Sequence, residues 1–236
     1  MGKLIIVPTP IGNLEDITLR ALRMLKEASL VLCEDTRTTR KLLNKYDINT
    51  PTSSYHKFNE HQRISGLIKN LKGEEIIVLV SDAGTPGISD PGFLLVRACI
   101  EEKIEVECLP GPSALIPALV VSGFPTDRFV FEGFIPHSKG RQKRLMSLEN
   151  ETRTMVFYES PYRICKTLGD FVRYFGSTRN CCVVRELSKI YEEHIRGNVL
   201  DLQYHFQSIP PKGEFVIVLE GMPEKDIQKK KTEMNQ

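Results

Sequence analysis

EIIVLVSDAGTPGISDPGFLLV, residues 75–96, sets five consecutive apolar positions (76–80) against a twelve-residue insert with three glycines, two prolines, two aspartates and two serines. The apolar run has the length and β-branched content of a buried strand. Asp90-Pro91 has the form of an N-cap followed by proline at the first helical position, which opens a helix to about Glu102. Strand and helix alone do not call for that much turn chemistry. Glycine lets backbone approach a ligand without a Cβ in the way, proline fixes φ, and Asp82 and Thr85 supply hydrogen-bonding side chains. The insert therefore reads as a rigid main-chain cradle. The plainer reading is a turn at 82–84 with Asp90 as helix cap, and for Asp90 capping is the preferred reading.

The same grammar extends outward. Residues 3–7, 30–33 and 105–109 read as strands. Residues 18–28 read as a helix with Leu19, Leu22, Leu25 and Ala28 on one face, and 38–46 as another. Asn59 caps a further helix carrying Ile64, Leu67, Ile68 and Leu71, and Gly73 stops it. This alternation predicts an α/β fold with a mostly parallel sheet covered by helices. Ser113 is placed to cap a helix through Val121. Near residue 122 the texture changes to strands at 129–131, 155–158, 182–184 and 215–219, with Ser160-Pro161 repeating the cap-plus-proline start. The organisation expected is two α/β domains, 1–122 and 123–222, followed by a flexible tail, 223–236.

Several function classes are excluded or weakened. A formal net charge of +2 means that a polyanion must be held by local basic patches. No apolar run approaches the roughly 18 residues of a membrane helix, and no secretory signal is visible. Cys33, Cys99, Cys108, Cys165, Cys181 and Cys182 lie among apolar residues without C-x-x-C spacing. They read as buried hydrophobes in a reducing compartment, hence a cytoplasmic protein without a membrane partner. The Rossmann glycine fingerprint, the P-loop, zinc spacings and the G-x-S-x-G elbow are all missing, and no metal is expected. Loops 8–13, 34–37, 81–92 and 110–113 all follow strands, and in an open parallel sheet they converge on one cleft.

The set VPTPIGNL (7–14), CEDTR (33–37), 81–92, LPGPSA (109–114), FYESP (157–161), RELSK (185–189) and KGE (212–214) resembles the 16S rRNA cytidine 2′-O-methyltransferase branch of the tetrapyrrole methylase superfamily. The match runs in order from residue 3 to about 221. The resemblance implies two α/β domains, usually in a homodimer, with S-adenosylmethionine in a cleft between the domains. It places Asp82, Ala83, Gly84, Thr85, Pro86 and Ile88 around the methionine end, flanked by Ser113 and Ala114, with Thr9 and Pro10 near the methyl group. Tyr158, Leu187, Lys212 and Gly213 would cover adenine and ribose. Gly84-Thr85-Pro86 stands where many superfamily members carry Gly-Asp-Pro, a departure shared with the rRNA branch.

A ribose hydroxyl is a weak acid, so its methylation gains from a base or a neighbouring cation. The candidates are Glu34, Asp35 and Glu159, with Arg37 or Lys189 as cation. The favoured assignment is Asp35 as base with Arg37 on the target phosphate, against the alternative that Glu34 or Asp35 caps the next helix. The partner implied is 16S rRNA or the small ribosomal subunit. Arg40 and Lys41, and Lys139, Arg141, Lys143 and Arg144, are the expected RNA contacts, against a solvated helix face for the second group. Lys229, Lys230 and Lys231 read as solvated tail. The rival readings are a methyltransferase for a small tetrapyrrole or a protein residue, and an RNA-binding protein without transferase activity.

Overall fold

Strands with apolar residues on both faces need helices on both sides, and the computed structural model, which describes residues 2–223, supplies them in two units, 2–113 and 114–223. In the first unit β1 (Lys3–Ile6), β2 (Leu30–Cys33), β3 (Thr52–Ser54), β4 (Ile76–Leu79) and β5 (Glu105–Cys108) form an all-parallel sheet in the order β3-β2-β4-β1-β5. Alternate residues split into two cores. Ile5, Val31 and Val78 face α1 (Leu19–Glu27) and α2 (Thr36–Lys45). Leu4, Leu32 and Ile77 face α3 (Glu60–Lys72) and α4 (Phe93–Glu101). Behind the Thr18 cap of α1, Leu25 and Ala28 of the expected stripe are buried and Leu22 packs against the same core, whereas Leu19 is exposed and Ala21 is buried in its stead. Asn59 stands at the start of α3, but its side chain accepts from the His56 amide at 2.9 Å and so closes the preceding turn.

The Asp90-Pro91 start is corrected. The helix begins behind Gly92, without a side-chain cap, and the Pro91 carbonyl accepts from the Gly87 amide at 3.2 Å, so 87–91 closes a turn first. Ser113 does not cap either: α5 (Leu115–Ser122) starts behind Ala114 with no side-chain cap bond.

The second unit holds α5, β6 (Phe129–Phe134), α6 (Arg141–Leu148), β7 (Thr154–Glu159), α7 (Ile164–Phe175), β8 (Asn180–Arg185), β9 (Glu193–Asn198), α8 (Val199–Ser208) and β10 (Phe215–Leu219). Its sheet runs β6-β7-β10-β8-β9, parallel only between β6 and β7. Phe157, Val183 and Ile217 pack under α6, α7 and α8. Val156, Cys182 and Val218 pack on the opposite face against Ala118 and Leu119 of α5. That last contact draws 114–122 into the second unit, whereas the change of texture put the division near 122. Arg163 precedes α7 without a side-chain cap, and Ser160 accepts through its carbonyl from the amides of Arg163 and Ile164, so Ser160-Pro161 also opens a turn. All six cysteines are free, but Cys108 is exposed on the edge strand β5 and Cys165 is half-buried, against the expectation of burial for both. Among the described residues no helix is long and apolar enough to cross a membrane. The expected tail from residue 224 on, with its lysines at 229–231, lies outside the described residues.

Candidate active site

The loops after β1, β4, β5 and β2 are joined at the carboxyl edge of the first sheet. Thr9 and Gly84 exchange both backbone hydrogen bonds at 2.9 Å. The buried Thr9 hydroxyl donates to the Ser81 carbonyl at 2.9 Å, and the Ser81 hydroxyl reaches the carbonyls of Ala83 and Gly84. Thr85 Oγ1 donates to the Pro112 carbonyl at 3.4 Å. A Cβ at Gly111 would stand 2.8 Å from Pro8 Cβ, so only glycine lets the loop after β5 close on the loop after β1. The Asp35 amide donates to Asp82 Oδ1 at 3.1 Å and draws in the end of β2. Thr9, Pro10, Asp82, Ala83, Gly84, Thr85, Pro86, Ile88 and Ser113 therefore lie on one set of joined loops. Among the described residues the amides of Asp82, Ala83, Thr85, Gly111 and Ser113 have no acceptor, which leaves them available to a ligand.

Three carboxyl groups at this edge share one field. Burial pushes Glu34 above its ordinary pKa, and Asp82 adds to the rise. Burial likewise raises Asp82. Asp90 is pushed up to about 6, first by burial and then by Glu34 and Asp82. Such a trio is stabilised by a proton or by a cationic ligand. Asp35 is different. It caps α2 through Oδ1, which accepts from the Arg37 amide at 2.8 Å, and the Arg37 guanidinium forks onto both carboxylate oxygens. Those bonds hold it down to about 2, which makes it a poor proton acceptor. The capping alternative for Asp35 is thus realised, and Arg37 is a partnered cation although its side chain is 88% exposed.

The family described as Tetrapyrrole (Corrin/Porphyrin) Methylases matches residues 3–203. The chain belongs to this family. Its relatives include the "Ribosomal RNA small subunit methyltransferase I" of Thermotoga maritima, 50% identical over 221 residues that cover 94% of this chain and 99% of the relative. The protein of the same name from Synechocystis is 48% identical over 96% of this chain and 81% of the relative. Among solved structures, diphthine synthase superposes with a TM-score of 0.74 at 12% identity, covering 93% of this chain and 90% of that one. Uroporphyrin-III C-methyl transferase from Thermus thermophilus, complexed with S-adenyl homocysteine, gives 0.65 at 19%, covering 93% and 97%. At these identities the two structures establish the fold only. The free amides and unpaired carboxylates of this methylase suit a donor carrying a carboxylate, an ammonium and a sulfonium.

Within the second unit the family motifs take other places than the chemistry expected. Glu159 is 2% exposed and accepts from the Ser160 amide at 2.8 Å and the Thr167 hydroxyl at 2.6 Å, with Arg163 Nε at 3.5 Å. A carboxylate so enclosed is a structural anchor and cannot serve as base. Lys189 is held between Glu186 and Glu214, each at 2.9 Å, so its charge is spent on the loop. Gly213 has φ +89°, and a Cβ there would meet Glu186 Cδ at 2.4 Å; the Lys212 carbonyl accepts from Arg185 Nε. Tyr158 packs edge-on to Phe131 and Phe134, while Ala114 and Leu187 lean on the α5 core.

The RNA candidates also divide. Arg40 donates to Thr52 Oγ1 at 3.1 Å, and Lys41 is exposed. Arg141 is corrected: it is 6% exposed and bonds Asp170, Thr167 and the Pro136 carbonyl. Arg144 is paired bidentately with Glu132 at 2.6 and 2.7 Å. Lys139 and Lys143 stay exposed. Sequence reasoning missed Asp90 as a member of the carboxyl trio, and its place in the cradle loop was the one signal.

Proposed function

We propose that this protein uses S-adenosylmethionine to methylate the 2′-hydroxyl of a cytidine ribose in the decoding centre of 16S rRNA. The observation that carries the reading is the match at 50% identity over 99% of a relative named for small-subunit rRNA methylation. A small tetrapyrrole, a protein residue, or RNA binding without transfer is not favoured, since proteins acting on other substrates share only the fold. The cytoplasm as its place and a homodimer as its assembly belong to the same proposal.

When bound, the cofactor supplies an electrophilic methyl on a cationic sulfur. The cradle amides of Asp82, Ala83, Thr85 and Gly111 would hold the methionine end, and the trio Glu34, Asp82 and Asp90 would complement its positive charge. Contacts of Tyr158, Leu187, Lys212 and Gly213 with adenine and ribose rest on the resemblance. A ribose hydroxyl that accepted the methyl would have to give up its proton to a base. Glu34 takes that role in place of Asp35, because its half-buried carboxyl is raised toward the working pH while Asp35 is held down by Arg37. Arg37, fixed by Asp35, then faces phosphate.

Transfer of labelled methyl to small ribosomal subunits, followed by mapping of the label to a ribose, tests the reading. Glu34→Gln should cut kcat at least 100-fold while weakening cofactor binding only several-fold, whereas Asp35→Asn, which keeps an N-cap, should cost at most about tenfold in kcat. The reverse order would return the base to Asp35, and absence of ribose-linked label would refute the function.

A further inference from the structure

We propose that the carboxyl edge of β6 and β7 is a single-stranded RNA platform on which Tyr162 stacks a base and Lys139 and Lys143 hold neighbouring phosphates. The inference rests on the rRNA reading above and deepens it.

The starting observation is a buried chain of charges that the transfer chemistry does not use. Thr167 Oγ1 accepts from Arg141 at 2.9 Å and donates to Glu159 at 2.6 Å, so its hydroxyl joins the two charges. Arg141 also bonds Asp170 at 2.7 Å and the Pro136 carbonyl at 3.3 Å. Arg163 sits 3.5 Å from Glu159 and donates to the Ile135 carbonyl at 2.5 Å. Desolvating such groups costs several kcal/mol per ion, and packed apolar side chains would stabilise the unit as well. What this network adds is conformation. It ties loop 135–140, through its carbonyls, to turn 160–163, through the Ser160 amide and Arg163.

The two braced segments display one kind of chemistry. Tyr162 is 95% exposed at the tip of the turn closed by the amides of Arg163 and Ile164 on the Ser160 carbonyl. Phe134, 53% exposed, ends β6 with its ring edge-on to Tyr158. Lys139, in the loop that Arg163 ties to this turn, and Lys143, in the first turn of α6, are exposed and make no ion pair among the described residues, and Lys143 lines an open groove of about 460 Å³. The acidic groups of the same edge are all engaged: Glu132 by Arg144, Asp170 by Arg141, and Glu159 by Arg163 and Thr167. The unpaired charge left there is positive. An isolated exposed aromatic needs no explanation. One held on a turn braced to the loop that carries an unpartnered lysine, with Glu132, Glu159 and Asp170 engaged internally, has the composition that stacks unpaired bases and tracks their phosphates. The exposed aromatic, rather than the charge, favours RNA over an acidic protein surface, because bases stack on aromatic rings.

Binding of a fluorescent single-stranded oligonucleotide matching the decoding-centre segment, with its duplex as control, tests the platform beside the methyl-transfer assay on small subunits. Tyr162→Ala should weaken single-strand binding at least tenfold and raise KM for subunits, with kcat at saturation, cofactor affinity and thermal midpoint unchanged. Tyr162→Phe should restore binding to within about twofold. Lys139→Ala with Lys143→Ala should weaken binding and lower the salt slope by about 1.4, at ~0.7 per phosphate contact on single strands. Unchanged oligonucleotide binding by Tyr162→Ala overturns the platform even if wild-type transfer is normal. So does a defect confined to whole subunits, which would point to a ribosomal protein. A wild-type enzyme that binds the strand yet labels no rRNA would instead refute the function proposed above and leave the platform standing.

Discussion

Asp90→Asn should stabilise the protein, and do so only on the alkaline side. A carboxyl raised from 3.8 to about 6 favours the protonated native state. The native state therefore binds this proton more tightly than the unfolded chain does. The stability it contributes is fully present below about pH 4 and is lost as pH rises through about 6. The full rise corresponds to ~3 kcal/mol at 1.36 kcal/mol per pH unit. Asp90 is half-buried, so solvent screening reduces this to about 1–2 kcal/mol. Asparagine carries no charge to desolvate. Thermal unfolding should show the variant about 3–8 °C above wild type at pH 7.5, with the gap closing by pH 4.5. The same charge should matter for the donor, so the variant should bind S-adenosylmethionine several-fold more weakly and S-adenosylhomocysteine, which lacks the sulfonium charge, with a smaller loss. A gap of equal size at both pH values would mean that the carboxyl is not the source, and no gap at pH 7.5 would refute the shared field of Glu34, Asp82 and Asp90.

Gly213→Ala should cost about 2–3 kcal/mol in urea unfolding, because alanine at φ +89° is strained and its methyl must displace the Glu186 carboxylate from the Glu214 amide and Lys189; a loss under 0.5 kcal/mol would show that the turn yields freely. Arg141→Met should cost about 3–5 kcal/mol by the same measurement, since Asp170 and the Thr167–Glu159 pair lose their cation in a buried setting. A neutral outcome would remove the network as the brace of loop 135–140.

Most strands and helices were legible because most strands are short apolar runs between turn residues, and α3 and α7 keep their expected stripes: Leu67 and Leu71, then Leu168 and Phe171, are buried. Helix starts were not. Asp90-Pro91 and Ser160-Pro161 fit a capped helix and also fit the first positions of a turn, and the local pattern does not separate the two. Strand β3 is three residues long, and β9, Glu-His-Ile-Arg-Gly-Asn, has no apolar alternation because both are edge strands. Arg141 sits in the string RQKR, where it reads like its solvated neighbours. Its burial depends on Asp170, 29 residues away, and on Thr167, 26 away. The cradle was visible as a glycine-proline loop. The carboxyl trio was not, because Glu34 and Asp90 meet only through the pairing of β2 with β4.

The two units treat acidic residues in opposite ways, and that contrast bears on how one enzyme handles a cationic donor and a polyanionic acceptor. At the first sheet's edge Asp82 raises Glu34, and both raise Asp90, with His56 opposing the rise at Glu34, an arrangement that favours positive charge and opposes phosphate. The Asp35–Arg37 fork moderates it further, by locking one carboxylate into a neutral pair with its guanidinium facing solvent. At the edge of β6 and β7 each carboxylate is cancelled internally and unpaired lysines remain. On the proposed reading, donor recognition and strand recognition make incompatible electrostatic demands, which separate sheets would meet. Adding phosphate affinity at the first edge, for instance by Asp82→Lys, should therefore weaken donor binding rather than improve RNA capture. A variant that gained RNA affinity there with donor affinity intact would show that the separation of charge has no such role.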